Sequence, residues 1–187
     1  MKTEDISGWM SRAELAVLRR AASQLPEGGL WVEVGVWHGR SAHCVALALP
    51  TNASLYLVDD YRGVHGHDAN EAEKQCRLTI SDMLTQRPDL SINKWKMTSA
   101  EAARKFNGLN VTAQVVFIDA DHSEKAVTND CEAWEPLTKI LMGHDYSHTD
   151  PGVIRAIDAR YKSQFHVFPS TSIWKVLCKP AQEYGLI

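Results

Sequence analysis

VEVGVWHGRS, residues 32–41, decides the fold: a β-branched apolar run ends in an acid and a glycine, and a second glycine opens into a helical pattern. Such a strand, turn and helix is a corner for a nucleotide-containing cofactor, because glycine lets backbone approach a ligand and the first helical amides offer it donors. A second apolar run, residues 54–59, ends in Asp59 and Asp60. Asp59 stands about 20 residues beyond Gly39, the separation of a carboxylate that holds ribose hydroxyls in a βαβ unit. The spacing from Gly35 to Gly39 lacks the third glycine of dinucleotide enzymes, and Trp37 and His38 crowd a pyrophosphate. Glu33 suits an ammonium, so a cofactor with an amino-acid tail fits better than a dinucleotide.

Outward from this corner, strands and helices alternate. Ser11 and Glu14 form a capping box, with Met10 and Leu15 as a staple, which predicts a helix over residues 12–24. Strands are expected at 30–35, 54–59, 91–97, 114–119, 140–142, 165–168 and 172–178, and further helices at 39–49, around Ala72 to Met83, at 100–106, 124–137 and 153–161. Near-continuous apolar strands separated by helices imply a parallel sheet covered on both faces, with a final hairpin adding one antiparallel strand.

In such a sheet, ligands gather beyond the carboxyl ends of the strands. The residues there are polar: Gly35 to Ser41, Asp59-Asp60-Tyr61, Thr98-Ser99, Asp119-Ala120-Asp121-His122 and His144-Asp145-Tyr146. Five loops are therefore expected to converge on one cleft. The D-x-D-H turn also reads as a plain helix cap through Asp121 or Ser123. His38, His43, His65, His67, His148 and His166 show no partner pattern and read as packing or surface residues. The tryptophans read as core, with Trp9 and Trp37 as exceptions.

The 187 residues suit one domain, 44% are hydrophobic and 23% charged, and the formal net charge of −3 supplies no broad basic face for nucleic acid. Cys44, Cys76, Cys131 and Cys178 form no C-x-x-C pair and read as buried thiols of a reducing compartment. No apolar leader or membrane-length run is present in the sequence, so a cytoplasmic protein without membrane contact is expected.

Taken in order, these motifs resemble the class I S-adenosylmethionine-dependent methyltransferases, in particular the methyltransferase domain 24 group related to small-molecule O-methyltransferases. The likeness runs through GWMS at residues 8–11, VEVGVWHGRS, LYLVDDYRG, MTSAEAA, FIDADHS at 117–123, GHDY at 143–146 and GVIRAID at 152–158. It implies a single α/β domain over 1–187: a Rossmann-like, doubly wound, mostly parallel seven-stranded sheet in a three-layer αβα sandwich. Residues 1–28 would be a helical lid segment. S-adenosyl-L-methionine is the implied cofactor, with Glu33, Gly35, Trp37, Gly39 and Ser41 around the methionine moiety, Asp59 at the ribose, Ser99 and Ala100 at the adenine, and Asp119 and His122 at the methyl-transfer end.

The resemblance further implies a divalent cation on Asp119, His144 and Asp145. His144 replaces an acid common in metal-dependent relatives, and imidazole suits zinc, manganese or iron better than magnesium. The Pro-Gly-Gly turn usual before the fifth strand is also missing. Asp121, His122 and His144 are the candidate bases for an acceptor hydroxyl. The expected partner is a small-molecule acceptor bound by the N-terminal segment, loop 62–68, loop 147–151 or a second subunit in a homodimer. A nicotinamide-dependent oxidoreductase and a non-catalytic cofactor-binding module are the competing readings.

Overall fold

Along the first strand, β1 (Leu30–Val34), successive side chains point to opposite faces of the sheet, and both faces are buried. Trp31 packs in one apolar cluster, Val32 and Val34 in the other. The same division runs through β2 (Ser54–Val58), β4 (Ala113–Ile118) and β5 (Thr138–Gly143): Leu55, Leu57, Val115, Phe117 and Met142 face one way, and Val58, Val116, Ile118 and Leu141 the other. This double burial is why the strands read as continuous apolar runs rather than as alternating ones.

The computed structural model describes residues 1–62 and 68–178. His65, His67 and most of the candidate acceptor loop 62–68 lie outside the described residues. The sheet has seven strands in the order β3-β2-β1-β4-β5-β7-β6, with β3 (Ser91–Trp95), β6 (His166–Val167) and β7 (Trp174–Leu177). Parallel pairing joins β1 to β2 and β4, β2 to β3, and β4 to β5, while β7 runs antiparallel to both β5 and β6. One face carries α1 (Arg12–Ser23), α2 (Arg40–Ala46) and α3 (Ala69–Gln86), through Leu15, Leu18, Val45, Cys76 and Met83. The other carries α4 (Ser99–Asn107), α5 (Glu124–Trp134) and α6 (Pro151–Tyr161), through Phe106, Cys131, Trp134 and Ile157. The result is a doubly wound Rossmann-like sandwich of three layers.

Local chemistry sets the boundaries. Gly39 has φ +84° and caps α2 from the left-handed region, so that helix begins at Arg40 rather than at Gly39, and the chain turns out of it after Ala46. The helix expected to reach residue 137 ends at Trp134 and tightens into a 3-10 turn at Glu135–Leu137, where Pro136 brings no amide hydrogen. β5 is longer than expected, six residues rather than three, because its register with β4 starts at Thr138 opposite Ala113. Thr138 Oγ1 also donates to the Ala113 carbonyl at 3.3 Å. All four cysteines are buried and free. Among the described residues, no helix is long and apolar enough to cross a membrane.

Candidate functional site

The strand order reverses between β1 and β4, and this switch point is where an open α/β sheet leaves a crevice beyond its carboxyl ends. Ladder bonds continue past the strands to set the loops: Gly35 N donates to Val58 O, Asp119 N to Val34 O and His144 N to Ile118 O. Gly35, at φ +87°, lies so close to β4 that an added Cβ would stand 2.0 Å from the Asp119 carbonyl oxygen. Its glycine is therefore required by the sheet itself as well as by any ligand.

Asp59 is turned toward the glycine loop. Oδ2 accepts from Val36 N and Trp37 N, each at 2.8 Å, and Oδ1 accepts from Tyr61 N at 2.7 Å. The acid expected at a ribose thus holds the loop's shape from behind. Hydrogen bonds to a charged acceptor are worth about 1.5–3 kcal/mol each, but Asp59 is only half-buried and water replaces part of what the three bonds supply, so Asp59→Ala is expected to lower stability by about 3–5 kcal/mol, less than their sum. Asp59→Asn should recover part of that loss in thermal unfolding followed by circular dichroism.

Glu33 is fully buried on β1. Ser41 Oγ donates to its Oε1 at 2.6 Å, while Oε2 has no hydrogen-bond partner. Burial, together with the neighbouring charges of Asp119 and Asp59, pushes its carboxyl up to about 8. Trp37 sits at φ +47° and stacks with both His38 and the exposed Trp9. Ser99 accepts from Trp134 Nε1 at 2.9 Å, tying the start of α4 to α5, and Ala100 is exposed beside it.

At the other end of the crevice, Asp119, Asp121, His122 and His144 line one small cleft with Val127, Val153 and Trp174. His122 is held between two carboxylates, with Nδ1 3.0 Å from Asp150 Oδ1 and Nε2 2.9 Å from Asp145 Oδ2. Asp145 first, and Asp150 with it, raises this imidazole to about 9 against the opposing effect of burial. His144 is buried; its Nδ1 lies 3.1 Å from Asp145 Oδ2 and 3.4 Å from Asp119 Oδ1. Its Nε2 is 3.1 Å from Glu14 Oε1 but is not aligned for a hydrogen bond. Burial disfavours charge on this ring, yet Asp119, Asp145 and Glu14 outweigh it and push the group up to about 12. For Asp145, burial works the opposite way, and His122 and His144 nonetheless hold its carboxyl well below the usual range.

Asp121 is exposed, and its Oδ1 accepts from Ser123 N at 2.7 Å, a bond that draws its carboxyl below the usual range. Ser123 then caps α5 by accepting from Ala126 N. The turn is therefore both a cap and a wall of the cleft.

Glu14, Asp150 and Ser172 were not legible as site residues. The capping box is present, with Glu14 Oε2 accepting from Ser11 N at 2.8 Å. The other oxygen engages the ends of β5 and β7, accepting from Ser172 N and Oγ and facing His144. A cap motif carries no signal of that second engagement. The partners lie 158 positions apart in the chain.

A family model described as a methyltransferase domain matches residues 32–146. No curated protein matches the chain in sequence. Among solved structures, the O-methyltransferase from Bacillus cereus in complex with SAH is 12% identical, with TM-score 0.64 over 93% of this chain and 85% of that one. A SAM-dependent O-methyltransferase from Thermotoga maritima is 9% identical, with TM-score 0.64 over 94% and 69% respectively. A TDP-rhamnose 3'-O-methyltransferase of calicheamicin biosynthesis is 16% identical, with TM-score 0.60 over 88% and 77%. At these identities the likeness to solved structures is one of fold.

Proposed function

Since the chain belongs to the methyltransferase-domain family, we propose that it binds S-adenosylmethionine at the glycine corner and methylates a hydroxyl oxygen of a small-molecule acceptor. The observation that carries this reading is the buried Glu33 carboxyl, tied through Oε1 to Ser41 in the first turn of α2 and with Oε2 lacking a hydrogen-bond partner. A buried acid with no cation beside it calls for a cation or a proton even where a hydroxyl donates to one of its oxygens, and the cofactor's ammonium is such a cation. Glu33, Gly35, Trp37, Gly39 and Ser41 would hold the methionine end, Asp59 the ribose side, and Ser99 with Ala100 the adenine. The family match leaves the oxidoreductase alternative without support.

The bound cofactor supplies an electrophilic methyl group on a sulfonium. The protein's part is to align the acceptor oxygen and to remove its proton as the O–CH3 bond forms and the S–CH3 bond breaks. Asp119 and His122 line that end. His122 and His144 are both engaged by carboxylates, so Asp121, exposed at the cleft and ionised, is the group assigned to take the acceptor's proton. The reading includes a divalent cation: Asp119, His144 and Asp145 each offer an atom within 4.8 Å of the others. Such an ion would polarise the acceptor hydroxyl.

Calorimetry with S-adenosylhomocysteine tests the cofactor assignment. At neutral pH a carboxyl raised to about 8 is largely protonated, and engagement by an ammonium lowers it again, so binding is expected to release a proton. The observed heat should then vary with the ionisation enthalpy of the buffer, and Glu33→Gln should abolish that dependence. In the free protein, the folded chain binds a proton that the unfolded chain lacks between 4.5 and about 8. Stability from this group is therefore lost as pH rises through that window, and Glu33→Gln flattens the slope. Absence of any heat with the ligand would remove the assignment.

A further inference from the structure

A cavity of about 360 Å³ opens between the 3-10 turn Thr3–Asp5 and α1, lined by Glu4 from the turn and by Arg12, Leu15, Arg19 and Arg20 from the helix. Its size falls in the range of small-molecule sites, about 300–1,000 Å³. Both walls are held in place. Thr3 Oγ1 stands 2.8 Å from Nδ1 of the buried His43, whose Nε2 is 3.0 Å from Asp82 Oδ2. The capping box fixes the start of α1, and Leu18 and Ala22 anchor the helix in the core. Positive charge is left over here. Arg77, Arg87, Arg155 and Arg160 each meet a carboxylate at 2.6 or 2.7 Å. Among the described residues, no carboxylate comes within 4.0 Å of the guanidinium nitrogens of Arg12, Arg19 or Arg20, that of Glu4 included. Arg19 leans inward: burial raises the Cys44 thiol, and the Arg19 charge beside it opposes that rise. Three guanidinium groups against one carboxylate thus make a positive cavity in a chain of formal net charge −3.

We propose that this cavity is a second binding site, distinct from the methyl-transfer cleft, for a phosphate monoester carried on a small apolar body. One bidentate guanidinium satisfies a carboxylate, whereas a phosphate monoester brings up to two negative charges and three terminal oxygens that several guanidinium groups can share. Arg12 and Arg19 start about 10 Å apart along the helix, a span that two long side chains close around one such group. Leu15 offers the body of the ligand an apolar contact, and Glu4 sets a limit on the negative charge the cavity accepts. All of these residues lie outside 32–146, the span matched by the family model. The site depends on neither the cofactor nor the cation assignment above.

The test is calorimetric titration of the full chain at neutral pH with phenyl phosphate, with benzoate as the carboxylate counterpart and with vesicles containing phosphatidic acid as the lipid source of the same group. Phenyl phosphate is expected to bind at one site, about tenfold more tightly than benzoate. Arg19→Gln and Arg20→Gln should each weaken it about 3–10-fold, and Glu4→Gln, which removes the opposing charge, should tighten it about threefold. Arg104→Gln, an exposed arginine of α4 on the other face of the sheet, should leave the affinity unchanged. Circular dichroism shows that each variant is folded, and the affinity for S-adenosylhomocysteine should be the same in all of them. Absence of phenyl phosphate binding overturns the proposal, as does benzoate binding equally well or Arg104→Gln weakening the complex as much as Arg19→Gln does. Binding of the vesicles without binding of phenyl phosphate overturns the small-molecule assignment.

Discussion

Gly35→Ala is expected to cost a large share of the protein's stability. The new Cβ would lie 2.0 Å from the Asp119 carbonyl oxygen and 2.8 Å from Ala120 Cα, both backbone atoms of the strand end that carries the cleft. Neither can move without breaking the bond from Asp119 N to Val34 O or the bond from His144 N to Ile118 O. A φ of +87° adds about 1–2 kcal/mol for any L side chain, and overpacking typically adds 1–3 kcal/mol or more. A total near 4 kcal/mol is a large share of a domain stability of about 5–15 kcal/mol. Gly28→Ala is the control, since Gly28 also has positive φ, +69°, but open space around it. Its loss should be about 1 kcal/mol. Equal urea midpoints for the two variants would show that the approach of β1 to β4 is looser than described.

Asp121→Asn should lower methyl transfer by about 10²–10⁴-fold, the range for loss of a positioned proton acceptor. The substitution keeps Oδ1, which accepts from Ser123 N, so the cap on α5 and the melting temperature should be preserved. Affinity for S-adenosylhomocysteine should also hold, because the carboxylate is assigned to the acceptor and not to the cofactor. A screen of phenols, catechols and sugars with methyl-labelled cofactor supplies the acceptor for the measurement. Turnover equal to wild type would reduce Asp121 to its capping role.

The fold was legible because its signals are local. Double burial makes each strand a continuous apolar run, and capping residues, glycines and prolines mark most turns between elements. The cleft was legible for a related reason: residues that end consecutive parallel strands must meet at one edge of the sheet. What the sequence withheld is orientation. Asp59 stands at the expected distance from Gly39, but its oxygens are taken up by the amides of the glycine loop. Glu14 satisfies a cap motif with one oxygen, which conceals the partners of the other. Asp150 follows the fifth strand by several residues and matches no motif, so only the folded chain brings it to His122.

Trp9 and Trp37 lie with ring centroids 4.3 Å apart and planes at 29°, and His38 stacks on Trp37 at 3.5 Å. Indoles at that separation and tilt share their excited states, which gives a paired positive and negative band in ultraviolet circular dichroism. The loop that carries the two glycines therefore shares a chromophore pair with the N-terminal segment. Its conformation can be followed in solution without a label, and a ligand that parts the rings announces itself by collapse of the couplet before any product is formed.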